Sequence, residues 1–304
     1  CAFYDCSDLE EISLPTSIVK IPDWCFRGCT NLKNLYIPDN VKEIGTKSFI
    51  FCNELKSLII PEGVEKIGAY AIWGCKNIKS IKLPTSLRFI DEGAFKGCKS
   101  LETIIIPHNV KAIEDYAFAM CDNLASVNFE ESSSLIVIGE SAFDGCTKLS
   151  QIILPECLKT IKNYAFYGCG SLEKITLPIS LESIGAYSFS DCISITEIVL
   201  PDKLKYLGKC AFANCTALTK VCLQSKIYEL GDFVFANCSS LKDLDITNNI
   251  TKIRQKAFYG CKALTNLNIK GRIEEISLGA FSDCTSISNA ALTFTGDSII
   301  RPKT

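Results

Sequence analysis

The residues of this sequence with the widest chemical range are its eighteen cysteines. Thiolates hold zinc, cross-link chains or attack electrophiles, and each use requires its own geometry. A zinc site needs converging ligands, usually a close Cys pair backed by a second pair. Cys25 and Cys29 are the nearest local pair, and no second pair backs them. A hydrolytic nucleophile needs a base beside it. The one histidine, His108, directly follows Pro107, where a surface role is the simpler expectation. Asp39, Glu62 and Glu131 lie in equivalent turns, where charge usually serves solvation. Gly45, Gly68 and Gly185 sit at a shared repeat position and mark turns, not a phosphate loop. These residues predict no enzyme, no metal and no cofactor.

What the cysteines do instead is mark a period. Cys6, Cys29, Cys52, Cys75, Cys98 and Cys121 stand 23 residues apart; one step of 25 leads to Cys146; then Cys169, Cys192, Cys215, Cys238, Cys261 and Cys284 resume the step of 23. Phe stands three residues before each ladder Cys, from Phe3 to Phe281, with Ile72 the sole departure. A small residue, mostly Ala, precedes the Phe. Leu or Ile follows the Cys by three, and apolar pairs such as Ile104 and Ile106 follow by six and eight. Pro closes this stretch in eight repeats, at Pro15, Pro38, Pro61, Pro84, Pro107, Pro155, Pro178 and Pro201.

Each column has a structural meaning. Apolar residues two apart are strand periodicity, with the residue between them facing out. Pro has no N–H for a ladder and ends the strand. Phe and Cys at i and i+3 share one face of a short helical turn. The residue before the Cys is Gly, Asn or Asp in eleven of thirteen repeats, the types that tolerate a left-handed closing conformation. Phe51 and Met120 are the exceptions, whose turns must close differently or carry strain. The expected fold is an α/β repeat solenoid of about 12–13 turns over residues 1–294, with one longer turn at 121–146 and a tail at 295–304. Parallel crossovers predict a right-handed coil with a concave parallel β-sheet and short helical turns on the convex side. Stacked strands would make a face roughly 60 Å long.

Composition narrows the function. A net charge of −2, with charges interspersed, argues against nucleic acid. No apolar run approaches the ~18 residues of a membrane span. The chain starts at Cys1 inside a turn and shows no polar cap at either end, so a fragment of a longer protein, monomeric by itself, is expected.

The unit L-x-x-I-x-[IL]-P-x-x-[VL]-x-x-I-G-x-x-A-F-x-x-C is well shown by Leu55, Leu58, Ile60, Pro61, Val64, Ile67, Gly68, Ala71 and Cys75. It resembles the BspA-like, or treponemal, class of leucine-rich repeats, over residues 1 to about 294. Gln224, Thr247, Lys270 and Thr293 replace Pro in the later repeats, where looser turns are expected. The resemblance implies a cell-surface or secreted protein that adheres to a host or neighbouring-cell protein or glycan. A structural scaffold without a ligand is the alternative.

A ligand would meet the outward strand column on the concave face: Tyr36, Ile59, Lys82, Ile105, Asn128, Ile153, Thr176 and Val199. Exposed apolar groups there fit an interaction site. Strand propensity alone would also place Ile, Val and Tyr in these positions. Glu130 to Ser134 carry the two inserted residues as a loop. The ladder thiols are expected to be buried, reduced and inert, while Cys222, in the outward column, and Cys157, in a turn, should react.

Overall fold

The computed structural model describes residues 1–223, 227–246, 250–270, 272–287 and the backbone of strand Leu292–Thr295. The chain divides into two compact units, Cys1–Cys157 and Leu158–Thr304, each a parallel-strand β-solenoid. Gln224 and Thr247, with residues 296–304 of the expected tail, lie outside the described residues.

In the first unit the main strands are Glu11–Ser13, Asn34–Tyr36, Ser57–Ile59, Ser80–Lys82, Thr103–Ile106, Ser126–Phe129 and Gln151–Ile153. Their neighbours pair at the repeat spacing: Ile12 faces Leu35, Leu58 faces Ile81, and Val127 lies between Ile104 and Ile152. A second ladder of two-residue strands, from Lys20–Ile21 to Val137–Ile138, follows the Pro turn and buries one Ile per strand. The second unit repeats this plan. Its main strands run from Lys174–Thr176 to Leu292–Thr295, and its short ones from Thr160–Ile161 to Glu275–Ile276. Where Pro is missing at Lys270, the strand Asn266–Lys270 runs on, and Lys270 pairs with Thr295.

The Phe column forms the core. Phe26 stacks on Phe49 at 5.4 Å, and Phe118 lies between Phe95 and Phe143 at 5.0 and 5.4 Å. In the second unit the stack runs from Phe166 to Phe281 at 5.2 to 5.6 Å. Ile72 fills its place in the column and is fully buried.

The expected helical turns are not formed: no helix occurs among the described residues. In an α-helix each N–H reaches back four residues. Here alternate N–H groups leave the turn. Trp24, Phe26 and Gly28 donate to the carbonyls of Thr46, Ser48 and Ile50 in the next turn, at 3.0, 2.7 and 2.8 Å. Only the intervening Cys25, Arg27 and Cys29 close tight turns, onto Pro22, Trp24 and Phe26. Two left-handed residues four apart make this path possible, as in Trp24 (φ 60°) with Gly28 (φ 76°). Phe51 and Met120 take the same left-handed conformation as the glycines of their column, at φ 61° and 60°. Their turns close in the ordinary way and carry about 1–2 kcal/mol of backbone strain each.

Candidate binding face

All eight residues expected to meet a ligand face outward and are exposed. In the first unit Tyr36 is 64% exposed, Ile59 67%, Ile105 55% and Ile153 81%. Register brings several into adjacent places: Ile59 stands beside Lys82, and Ile105 beside Asn128. Tyr36 and Ile59 share a cleft of about 490 Å³, with Ser13, Asn34, Asp39 and Ser57 on its walls. The second ladder presents Lys20, Glu43 and Lys66 outward in its first three strands and Phe89, Ala112 and Val137 in the next three. In the second unit Thr176 and Val199 are exposed, and Val199 stands beside the half-buried Cys222.

The flanking outward column is polar and bonds from turn to turn. Asn34 donates to Glu11 at 3.1 Å, Thr103 and Ser126 share a bond of 2.8 Å, and Lys220 pairs with Glu197 at 3.0 Å. These contacts fasten neighbouring turns at the edge of the apolar column.

The inserted loop forms one wall of a second cleft of about 520 Å³, where Glu130, Ser132 and Ser133 face Asn128, Ile153 and Cys157. Glu130 stands where other repeats carry Pro. One of its carboxylate oxygens accepts from the His108 backbone N–H at 3.0 Å and lies 2.9 Å from the ring Nδ1. Those bonds hold the Glu130 carboxyl below its usual range. The histidine thus anchors a loop. Among the described residues no hydroxyl or thiol is a hydrogen-bond partner of its ring.

The turn side carries an array that the column reading passed over. Two residues before the core column of Phe and Ile72 lies a left-handed position occupied by Trp24, Lys47, Tyr70 and Tyr116, among others. The Arg27 guanidinium lies 4.9 Å from the Tyr4 ring and 5.1 Å from the Trp24 ring. Lys47 sits 4.6 Å from Trp24 and 5.6 Å from Tyr70. Tyr70 and Phe51 in turn contact Trp73. Arg27 joins rings of two adjacent turns, and Lys47 touches a ring in the turn before and a ring in the turn after its own, so the array staples turns together. Its signal in the sequence is an aromatic and basic column at the same 23-residue period. Gly74 shows how tightly it packs, since a Cβ there would meet the Phe51 ring at 2.5 Å.

A family model described as BspA type leucine rich repeat region (6 copies) matches residues 1–125, 65–196, 111–218 and 159–288. The chain belongs to this BspA-type leucine-rich repeat family. It is similar to a leucine-rich repeat protein from Bacteroides ovatus, with 31% identity over 82% of this chain and 75% of that one, and a TM-score of 0.53. It is also similar to a leucine rich cell surface protein from Faecalibacterium prausnitzii, with 28% identity over 97% of this chain and 86% of that one, and a TM-score of 0.55. A leucine-rich repeat protein from Eubacterium ventriosum shares the fold at 20% identity, over 84% of this chain and 79% of that one, with a TM-score of 0.53. No curated protein matches the chain significantly. BspA-type repeats typically serve protein–protein interaction or adhesion. Among the described residues no helix is long and apolar enough to cross a membrane.

In this BspA-type coil the cysteine ladder has a definite bonding role. The thiol of Cys52 donates to the Phe26 carbonyl of the turn before it at 3.2 Å, and Cys75 does the same to Phe49 at 3.0 Å. The contact recurs along both units, for example from Cys121 to Phe95 and from Cys238 to Phe212. The same Phe carbonyl also accepts the Cys N–H of its own turn, as in Cys29 onto Phe26 at 3.2 Å. A small apolar side chain with a weak donor therefore suits this place, and Ser would be harder to desolvate. Burial pushes the Cys121 and Cys238 thiols up to about 12, and raises those of Cys98, Cys192 and Cys215. All eighteen cysteines are free thiols. Cys6, in the first turn, is exposed rather than buried, and Cys284 is half-buried. Cys157 and Cys222 are half-buried, and Cys157 donates to the carbonyls of Ser133 and Leu135 at 2.9 and 3.1 Å.

Proposed function

We propose that the protein is a non-enzymatic recognition and adhesion module of a cell-surface or secreted protein, and that its main strand face binds a host or neighbouring-cell protein. The carrying observation is the outward column of the first unit, where Tyr36, Ile59, Ile105 and Ile153 are each more than half exposed. Water-facing aliphatic side chains on a regular sheet cost solubility and bring no packing within the fold. A partner that covers them gains about 25 cal/mol per Å² of apolar surface buried. The polar flanking column supplies donors and acceptors at the rim of such an interface, the usual interface anatomy. The resemblance of the whole chain to a cell-surface protein of Faecalibacterium prausnitzii supports the location.

The test is attachment to host cells or matrix with a double variant, Ile105→Lys and Ile153→Lys. Both side chains point away from the core, so folding should be kept and attachment abolished. Unchanged attachment by the folded variant would move the site off this face.

A further inference from the structure

The main face of the first unit is not uniformly apolar; its charge is segregated. The first turn presents Glu10 and Glu11, the next three present Lys33, Lys56, Lys79 and Lys82, the fifth presents Glu102, and in the sixth and seventh Glu130 and Glu156 line the cleft beside Asn128 and Ile153. Lys33 is neutralised by Glu10 at 2.8 Å. Lys56, Lys79 and Lys82 are exposed and make no ion pair among the described residues. The nearest acid along their column is Glu102, one turn beyond Lys79; its backbone N–H bonds the Lys79 carbonyl at 3.2 Å. Between the lysines runs a column of hydroxyls, with Ser57 registered beside Ser80 and Ser80 beside Thr103. On the far side stand Ile59, Lys82 and Ile105, with Tyr36 one turn before Ile59.

We infer that this part of the face recognises an acidic peptide segment of the partner protein, with carboxylates set between apolar side chains. The proposal rests on the reading that the strand face is the binding surface, and it names the partner's chemistry there. Lys56, Lys79 and Lys82 make no ion pair among the described residues, while Glu11 and Asp39 line the cleft at Tyr36 and Glu102 stands one turn beyond Lys79; the positive potential is therefore local to the three lysines, where an opposite charge satisfies it. The surrounding groups decide the class of anion. Apart from Tyr36 they are aliphatic, which suits Leu, Ile or Val of a peptide, whereas sugars are best held by stacked aromatic rings. From Tyr36 to Ile105 is three turn-to-turn steps, roughly 14 Å at strand spacing. Four or five residues of extended chain cover that distance at about 3.3–3.6 Å each. The partner's acids then meet Lys56, Lys79 and Lys82, its flanking apolar side chains meet Ile59 and Ile105, and the serine hydroxyls can donate to either its carbonyls or its carboxylates.

The experiment is selection of a phage-displayed random dodecapeptide library on the whole chain, run in parallel on the triple variant K56Q, K79Q and K82Q. Exposed Lys→Gln changes should leave the unfolding midpoint unchanged, checked by denaturation. Peptides enriched on the wild type should carry Asp or Glu between apolar residues. Their binding, followed by fluorescence anisotropy, should fall about tenfold or more in the triple variant, and should weaken as salt rises. Enriched peptides without acids, acidic peptides bound equally by the triple variant, or no enrichment would each overturn the inference. A sulfated oligosaccharide bound more tightly than the selected peptides, through the same lysines, would overturn it in favour of a glycan. A second variant, Ile59→Ser with Ile105→Ser, separates the two levels. If acid-free peptides are enriched and lost there, the strand face stands and only the acidic partner falls. If lysine-dependent peptides bind this variant undiminished, the strand-face reading falls.

Discussion

The stacked thiols should make this protein alkali-labile in steps that can be counted. In the unfolded chain a thiol titrates near 9.0, whereas in the fold burial carries Cys121 and Cys238 to about 12. Below pH 9 both states hold the proton and stability does not change. Between the two values the unfolded chain has lost the proton and the native state keeps it, so stability falls as pH rises. Each such thiol then costs about 1.4 kcal/mol between pH 8 and pH 10. Cys192 and Cys215 shift in the same direction as Cys238 within one unit, so that unit should lose more than Cys238 alone contributes. Lysines and tyrosines also titrate in this range, so the decisive measurement is a difference. Urea unfolding of the reduced chain would be followed at pH 8, 9 and 10 for the wild type, Cys121→Ala and Cys238→Ala. Trp24 and Trp73 are the only tryptophans and both lie in the first unit, so fluorescence reads Cys121→Ala and far-UV circular dichroism reads Cys238→Ala. The Phe95 carbonyl still accepts the Cys98 N–H after the Cys121 thiol is removed, so that variant should fold. Each variant should lose about 1.4 kcal/mol less than the wild type between pH 8 and pH 10. Equal losses in variant and wild type would show that burial does not hold these thiols neutral.

Other predictions are more local. Phe118→Ala removes a fully buried ring held between two others, and should cost about 3–5 kcal/mol in urea unfolding followed by tryptophan fluorescence; a loss under about 1 kcal/mol would contradict the stacked core. Met120→Gly should stabilise the first unit by about 1 kcal/mol, because it relieves a left-handed residue whose side chain is half exposed, and destabilisation would mean that the Met side chain has a packing role. With maleimide under native conditions Cys1 and Cys6 should label first and Cys157 and Cys222 more slowly, while Cys98 and Cys215 should label only after unfolding, as peptide mapping would read. Rapid native labelling of the buried set would contradict the burial that raises their pKa.

The sequence by itself determined the repeat, its period, the core columns and the outward face, because a solenoid uses the same local environment in every turn and so writes each one as a column. Phe118, Cys121, Ile104 and Ile105 could each be given a side of the coil from spacing alone. The family followed from the same columns. What spacing could not decide was the path of the backbone between Phe and Cys. A share-one-face pattern at i and i+3 fits a helix, and it fits equally a tight turn whose alternate N–H groups bond to the next turn. The second path became visible only in the structure, where Trp24, Phe26 and Gly28 donate across the stack and Phe51 and Met120 accept left-handed strain. The charge pattern on the strand face divides in the same way. Lys56, Lys79 and Lys82 can be read in the sequence, but whether a lysine is neutralised depends on which acid lies within reach one turn away. Glu10 finds Lys33, and no acid among the described residues pairs with the other three, because side-chain pairing is settled by distances across the stack rather than along the chain.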